Sequence, residues 1–488
     1  MKGKIRKINE LLVNKEISAT ELLNKYIDYT EKYNPTLNAY INTTYDEAFK
    51  YAQKADDIIA KKCRIPLLCG IPMSVKDCIS TKDIYTTCGS KMLCNYKSIY
   101  DAFVIEKMKD NFAVMLGKTN MDEFAMGSTS ETSFFGPTKN PYDIKCVPGG
   151  SSGGAAASVG ADLAVYALAS DTGGSVRQPA SFCGCVGLKP TYGSVSRFGL
   201  IAHASSFDQI GVISQSVEDA SIVFDATNHH DLNDATCSSH IRKTVSDNLN
   251  QNVKKMKIGF VSELFEACDE NTKDCYKNAL KCFETLGIEL CEIKLNTLKY
   301  ALPAYYILAC AEAASNLSRY DGVRYGYRTE NFENTDEMIS KTRSEGFGRE
   351  VKRRIMLGNC VLSVGYADRY YKKALNMRSM ITKEIKNIFK DFDVIIAPTA
   401  TTTAFELGTF NNPVDMYNTD KCTILANLCG IPAVSVPCGF AKNNMPVGLQ
   451  IMGDSFCEEK ILNMAYAFED AVSFKKAKPE IGGDCLGI

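Results

Sequence analysis

The chain opens on helical periodicity. Ala48, Ala52, Ala55 and Ile59 recur at the three-to-four-residue spacing that places side chains on one helix face. Two N-terminal signals frame the helices expected in the first 60 residues. Ser18-Ala19-Thr20-Glu21 and Thr44-Tyr45-Asp46-Glu47 both fit the capping box, where a hydroxyl and a glutamate satisfy orphan amides. Between residues 67 and 224 the pattern changes. Short apolar runs at 112–116 and 163–169 read as buried strands, and Asn120-Met121-Asp122-Glu123 reads as a helix start. Such alternation predicts an α/β sheet covered by helices.

Residues 228–255 are polar and poor in large apolar side chains, which predicts a surface excursion. Residues 257–261 and 288–290 read as strands around a helix. Residues 320–354 are rich in charge, glycine and tyrosine, and predict an exposed loop region beside a site or a partner. Late strands are expected at 394–397, 433–436 and 447–451. No linker separates them from the first half, so they are expected to return to the same sheet.

Composition narrows the class. A chain of 488 residues buries one large core or two to three ordinary ones. A net charge of -1 gives no overall attraction to nucleic acid or anionic membrane, so RNA contact would need a local patch or a partner. No apolar run approaches the ~20 residues that span a bilayer. Residues 1–6 are basic, but no apolar core follows, so no secretory signal is expected. The 20 cysteines include no pair separated by two residues. Cys183-Gly184-Cys185 is the tightest spacing and suits neither zinc nor dithiol redox chemistry, which predicts buried thiols in a reducing compartment.

Candidate chemistry lies in two glycine-rich turns. Ser151 sits in Gly149-Gly150-Ser151-Ser152-Gly153-Gly154, and Ser175 in Asp171-Thr172-Gly173-Gly174-Ser175. Neither turn matches a nucleotide-phosphate loop, which needs a lysine after its second glycine, or the dinucleotide fingerprint. Ser175 follows a predicted strand, and Val176-Arg177-Gln178-Pro179-Ala180 begins a predicted helix. Glycines before such a serine permit backbone angles that other residues resist. Successive amides of the turn can converge on one oxyanion. A serine nucleophile needs a base. The chain has only four histidines, none near either serine in sequence. Lys76, in Ser74-Val75-Lys76-Asp77, is the candidate base, provided burial lowers its pKa and leaves it neutral.

These segments resemble the amidase signature family of serine hydrolases. The resemblance rests on the Gly-Gly-Ser-Ser-Gly-Gly turn, on Asp171 through Ala180, on residues 183–190, and on Lys76 at family spacing. It implies a Ser–Ser–Lys triad with Ser175 as nucleophile, Ser151 as bridge on a cis peptide, and Lys76 as base. The N–H groups of Thr172, Gly173, Gly174 and Ser175 would form the oxyanion hole, with Ser152 as a supporting hydrogen-bonding serine. Asp171 and Arg177 read as supports for the turn. The implied fold is α/β, with a large mixed central sheet covered by helices on both faces. Residues 1–488 would form a single domain: N-terminal helices at 1–62, the signature core at about 63–226, the excursion at 228–255, and the remaining sheet and substrate-binding helices at 256–488.

Within the family, the chain is most similar to the tRNA-dependent amidotransferase branch. Met121-Asp122-Glu123-Phe124-Ala125-Met126-Gly127, Lys189-Pro190-Thr191-Tyr192-Gly193 and Val351-Lys352-Arg353-Arg354-Ile355 carry that likeness. It implies glutamine as ammonia donor, held by Asp420 at its ammonium, Arg354 or Arg353 at its carboxylate, and Tyr305 or its neighbour Tyr306. It also implies partner subunits B and C in a heterotrimer. ATP and Mg2+ would act at a partner, tRNA would be met mainly through the complex, and this chain would hold no cofactor or metal. A cytoplasmic location, with no membrane contact, is expected. His203 stands where this branch commonly carries an apolar or aromatic residue, and it has no assigned role. Three other readings stay open on sequence: a stand-alone amidase of small organic amides, an assembly component with a decayed triad, and a phosphate-binding α/β protein.

Overall fold

The computed structural model describes residues 3–61, 65–240, 243–250, 252–472 and 477–487. Among the described residues, eleven strands form one sheet: β1 (Tyr40–Thr43), β2 (Pro72–Lys76), β3 (Val114–Thr119), β4 (Tyr166–Asp171), β5 (Val186–Lys189), β6 (Gln209–Ser214), β7 (Lys257–Val261), β8 (Glu289–Ile293), β9 (Val394–Pro398), β10 (Ala433–Phe440) and β11 (Pro446–Met452). Their order is β1-β3-β2-β4-β6-β5-β10-β11-β9-β7-β8. The sheet is mixed: β2 runs parallel to β3 and β4, and β7 parallel to β8 and β9, while the other pairs are antiparallel. The expected late strands all join it.

Strand side chains alternate between faces, so a strand buried at every position is covered on both. β2, β4, β5, β6, β9 and β11 are buried throughout. Only helices packed on both faces can achieve this. Ser74 of β2 stands opposite Ala167 of β4, and Val75 opposite Leu168. This register carries Lys76, the last residue of β2, one step past Leu168, two residues short of Asp171, where β4 ends and the Ser175 turn begins.

The capping box at Ser18 forms as expected: Glu21 N–H donates to Ser18 Oγ at 3.1 Å, and Glu21 Oε2 accepts from Ser18 N–H at 2.9 Å. The second expected box does not. A helix does start at Tyr45, but the Thr44 hydroxyl donates to the Met115 carbonyl at 2.8 Å and so stitches the helix to the sheet. The run expected as a strand at 112–116 begins two residues later, because Phe112 takes a positive φ of 55°. Residues 120–123 start no α-helix. Asp122 turns its carboxylate back to accept from the amides of Ser130 and Thr129, and only a single 3-10 turn, Glu123–Ala125, follows.

Residues 320–354 also depart from expectation. The sequence predicts an exposed loop, yet the segment carries the helix Thr335–Gly346 and the start of the helix Arg349–Leu362. The second buries Glu350, Val351, Arg354 and Ile355 and packs against the helix Leu298–Asn316. Gly358 permits that approach: a Cβ there would meet the Cys310 carbonyl at 2.1 Å. The described part of the 228–255 excursion is largely irregular, with Leu232 91% exposed, although Asp231, Val245 and Val253 anchor it. Every described cysteine is a free thiol. Among the described residues, no helix is long and apolar enough to cross a membrane.

Candidate active site

The two serine turns and Lys76 meet at the end of β2 and β4. Lys76 is fully buried. Its Nζ lies 2.8 Å from Ser151 Oγ, 2.9 Å from Ser170 Oγ and 3.3 Å from the Ser170 carbonyl. Burial pushes its pKa down; Cys78, Asp122, Asp171 and Asp208 oppose this only in part. The lysine is therefore biased toward the uncharged amine. The Gly150–Ser151 peptide is cis, as the family resemblance implies. Ser152 ties the turns together. Its N–H donates to the Ser175 carbonyl at 3.2 Å, and its hydroxyl donates to the Ser170 carbonyl at 3.1 Å.

Ser175 sits between β4 and the helix Arg177–Phe182, the expected strand-to-helix turn. Asp171 organises it. One carboxylate oxygen accepts from the Gly174 amide at 2.9 Å and the other from Val176 N–H at 3.2 Å. Arg177 grips the same carboxylate through Nε and Nη2, each at 3.0 Å. Both charges are fully buried. Arg177 also reaches the Thr423 carbonyl, Gln450 and Asn427. Burial opposes the Asp171 carboxylate, but Arg177, with Lys189 and Asn427 assisting, outweighs it and holds the acid well below its ordinary range. The expectation that Asp171 and Arg177 support the turn fits this geometry.

The expectation of four oxyanion donors needs one correction. The Gly174 N–H is already bonded to Asp171, which leaves the amides of Thr172, Gly173 and Ser175. Gly174 is instead required for shape: its φ is +133°, and a Cβ would stand 2.1 Å from Thr423 Oγ1. A Cβ on Gly173 would meet the Tyr305 hydroxyl at 2.4 Å. The Thr172 hydroxyl donates to Asp208 at 2.6 Å, and the Thr423 hydroxyl donates to the Gly173 carbonyl at 2.6 Å.

Asp420, Arg354 and Tyr305 come from three distant segments and converge beside this turn. Asp420 accepts from Ser128 Oγ at 2.7 Å and from the Tyr306 hydroxyl at 2.6 Å. Burial raises its pKa to about 6, against these hydrogen bonds and Arg354. Arg354 lies over the rings of Tyr306 and Tyr417, at 5.3 Å and 5.2 Å, and donates from Nε to Glu350 at 2.9 Å. The Arg354 side chain is 3% exposed, whereas that of Arg353 is 29% exposed and pairs with the other Glu350 oxygen. The inward cation is Arg354. Both tyrosines are engaged, Tyr305 against Gly173 and Tyr306 between Asp420 and Arg354. Ser128, Tyr417, Glu350, Asp208 and Gln178 complete the surroundings, and sequence reasoning does not single them out. Three of them lie in or beside stretches that carry the family likeness: Ser128 directly after Met121–Gly127, Glu350 directly before Val351–Ile355, and Gln178 within Asp171–Ala180.

The family model "Amidase" matches residues 21–462. The chain is 49% identical over 478 residues to the A subunit of glutamyl-tRNA(Gln) amidotransferase from Halothermothrix orenii, covering 98% of each chain. It is 50% identical over 477 residues to its counterpart from Heliobacterium modesticaldum, covering 97% of this chain and 98% of that one. The crystal structure of the Thermotoga maritima counterpart superposes with a TM-score of 0.79 at 38% identity, over 95% of each chain. A fold built on one mixed sheet, two serine turns meeting a buried lysine, and a matched span reaching from residue 21 to 462 together make this chain a member of the amidase family.

Proposed function

We propose that this chain is the glutaminase component of a tRNA-dependent amidotransferase. It releases ammonia from glutamine for conversion of Glu-tRNA(Gln) to Gln-tRNA(Gln), with Asp-tRNA(Asn) as a further acceptor in some hosts. The observation that carries the chemistry is the buried 2.8 Å contact between Lys76 and Ser151 beneath the Ser175 turn. A neutral amine has two hydrogens and one lone pair. The two Ser170 oxygens can take the hydrogens, which leaves the lone pair for the Ser151 hydroxyl. Ser151 then accepts the Ser175 proton as Ser175 attacks the glutamine side-chain amide. The amides of Gly173, Ser175 and Thr172 hold the oxyanion, an arrangement worth about 3 kcal/mol per donor in known hydrolases. Ser151 returns a proton to departing ammonia, and water hydrolyses the acyl-enzyme to glutamate.

Asp420 and Arg354 favour an amino acid over a simple organic amide. One buried carboxylate and one buried guanidinium match the ammonium and carboxylate of a free amino acid. Partner subunits B and C would receive the ammonia in a cytoplasmic heterotrimer. ATP and Mg2+ would act at the partner, and tRNA would bind mainly through the complex. The test is ammonia release by the assembled complex from glutamine and from propionamide or benzamide. Glutamine is expected to exceed both in kcat/KM by at least about 100-fold. Comparable turnover of the organic amides would instead identify a stand-alone amidase.

A pH dependence follows from Asp420. Its carboxyl is raised to about 6, so it is charged at neutral pH and loses its charge as pH falls through that value. The KM for glutamine is expected to climb about tenfold per pH unit below 6. Asp420→Asn should start with a high KM that no longer responds to pH in this range. Asp208 also titrates at about 6, so retention of the acidic limb in Asp420→Asn would assign that limb elsewhere.

A further inference from the structure

His203 is a buried polar side chain that the triad does not use. It is 2% exposed, and neither ring nitrogen has a hydrogen-bond partner among the described residues. Its backbone is pinned on both sides. The N–H donates to Asp208 at 2.9 Å, and the carbonyl accepts from Asn316 Nδ2 at 3.2 Å. The other Asp208 oxygen receives the Thr172 hydroxyl, so the His203 loop is tied directly to the Ser175 turn. The same loop places Phe207 against Tyr305, with ring centroids 5.5 Å apart.

A second buried orphan belongs to the same site. Arg354 donates to Glu350 through Nε, but its Nη2 is buried without a partner among the described residues. Burial, then the field of Arg354, keeps the His203 imidazole neutral. A neutral imidazole carries one N–H donor and one acceptor nitrogen. Buried donors left unpaired are rare, and two beside the Ser175 turn, one on the loop tied through Asp208 to Thr172 and one over the Tyr306 ring, point to a ligand with paired acceptor oxygens.

We propose that His203 donates its ring N–H to the α-carboxylate of the substrate amino acid and shares that group with Arg354. The inference rests on glutamine being the substrate. It gives this chain a polar contact at a position where the family resemblance places an apolar or aromatic residue.

The experiment uses the assembled complex, with glutamine and glutaminamide, in which the α-carboxylate is replaced by a neutral amide. His203→Phe keeps the ring volume and removes the donor. It is expected to raise the KM for glutamine about tenfold or more, the loss typical of a hydrogen bond to a charged group, with kcat within about twofold. Its kcat/KM for glutaminamide should stay within about twofold of the parent. His203→Asn retains an N–H and should recover most of the glutamine KM. His203→Leu, which also lacks the donor, covers the case in which the phenylalanine variant fails to fold. An unchanged glutamine KM in either soluble variant lacking the donor overturns the proposal, as does an equal loss on both substrates. Failure of the parent complex to release ammonia from glutamine would instead remove the substrate reading itself.

Discussion

Ser175→Ala is expected to leave the fold intact and to lower ammonia release from glutamine by at least about a thousandfold. The fold survives because the structural links of Ser175 run through its backbone. The carbonyl that accepts from Ser152 N–H is kept by alanine, and the Gly174 and Val176 amides stay on Asp171. Only the hydroxyl is lost, and with it the group that attacks the substrate amide. Lys76→Arg is the companion test. Arginine keeps a cation of similar reach, but a guanidinium holds its proton at every accessible pH and cannot act as base. Its turnover should fall as far as that of Ser175→Ala, and the double variant should be no worse than either single, because residues acting as one unit are not additive. Turnover near that of the parent in either single variant, with an unchanged circular dichroism spectrum, would refute the triad.

Arg177→Met is expected to be the most destabilising single substitution around the site. It leaves the Asp171 carboxylate charged, fully buried and without its cation, and it strands the acceptors on Gln450 and Asn427. Removing one partner of a buried pair typically costs about 3–5 kcal/mol. Low soluble yield and a melting temperature well below the parent should follow. Adding Asp171→Asn to that variant neutralises the stranded group and keeps an acceptor for the Gly174 amide, so part of the stability should return. A melting temperature within about a degree of the parent for Arg177→Met would show that the ion pair does not hold the turn.

Local chemistry is the part of this molecule most open to reading from the chain. The glycines flanking Ser151 and Ser175 announce backbone angles and close contacts that only glycine accepts, and the structure shows them at Gly173 and Gly174. Lys76 stands out because a serine nucleophile lacking a nearby histidine needs another base. Long-range partners are less accessible. Ser128 and Tyr306 hold Asp420 from positions 292 and 114 residues away, and no local pattern signals such pairings. Residues 320–354 mislead because charge and glycine resemble a loop. Their second helix buries Arg354, and Glu350 and two aromatic rings make that burial possible. Thr44 misleads for a related reason: the sheet offers its hydroxyl an acceptor outside the helix.

The pairing of β2 with β4 has a consequence for which changes this gene can tolerate. Ser74 faces Ala167 and Val75 faces Leu168, and this alignment delivers the Lys76 amine to the Ser170 oxygens. One residue inserted between Pro72 and Val75 would reverse the side of the sheet on which every later β2 side chain emerges. The amine would then be carried away from both serines, with each amino acid of the motif still present. Insertions should therefore accumulate around Leu232, which lies open to solvent, and be purged from this five-residue strand.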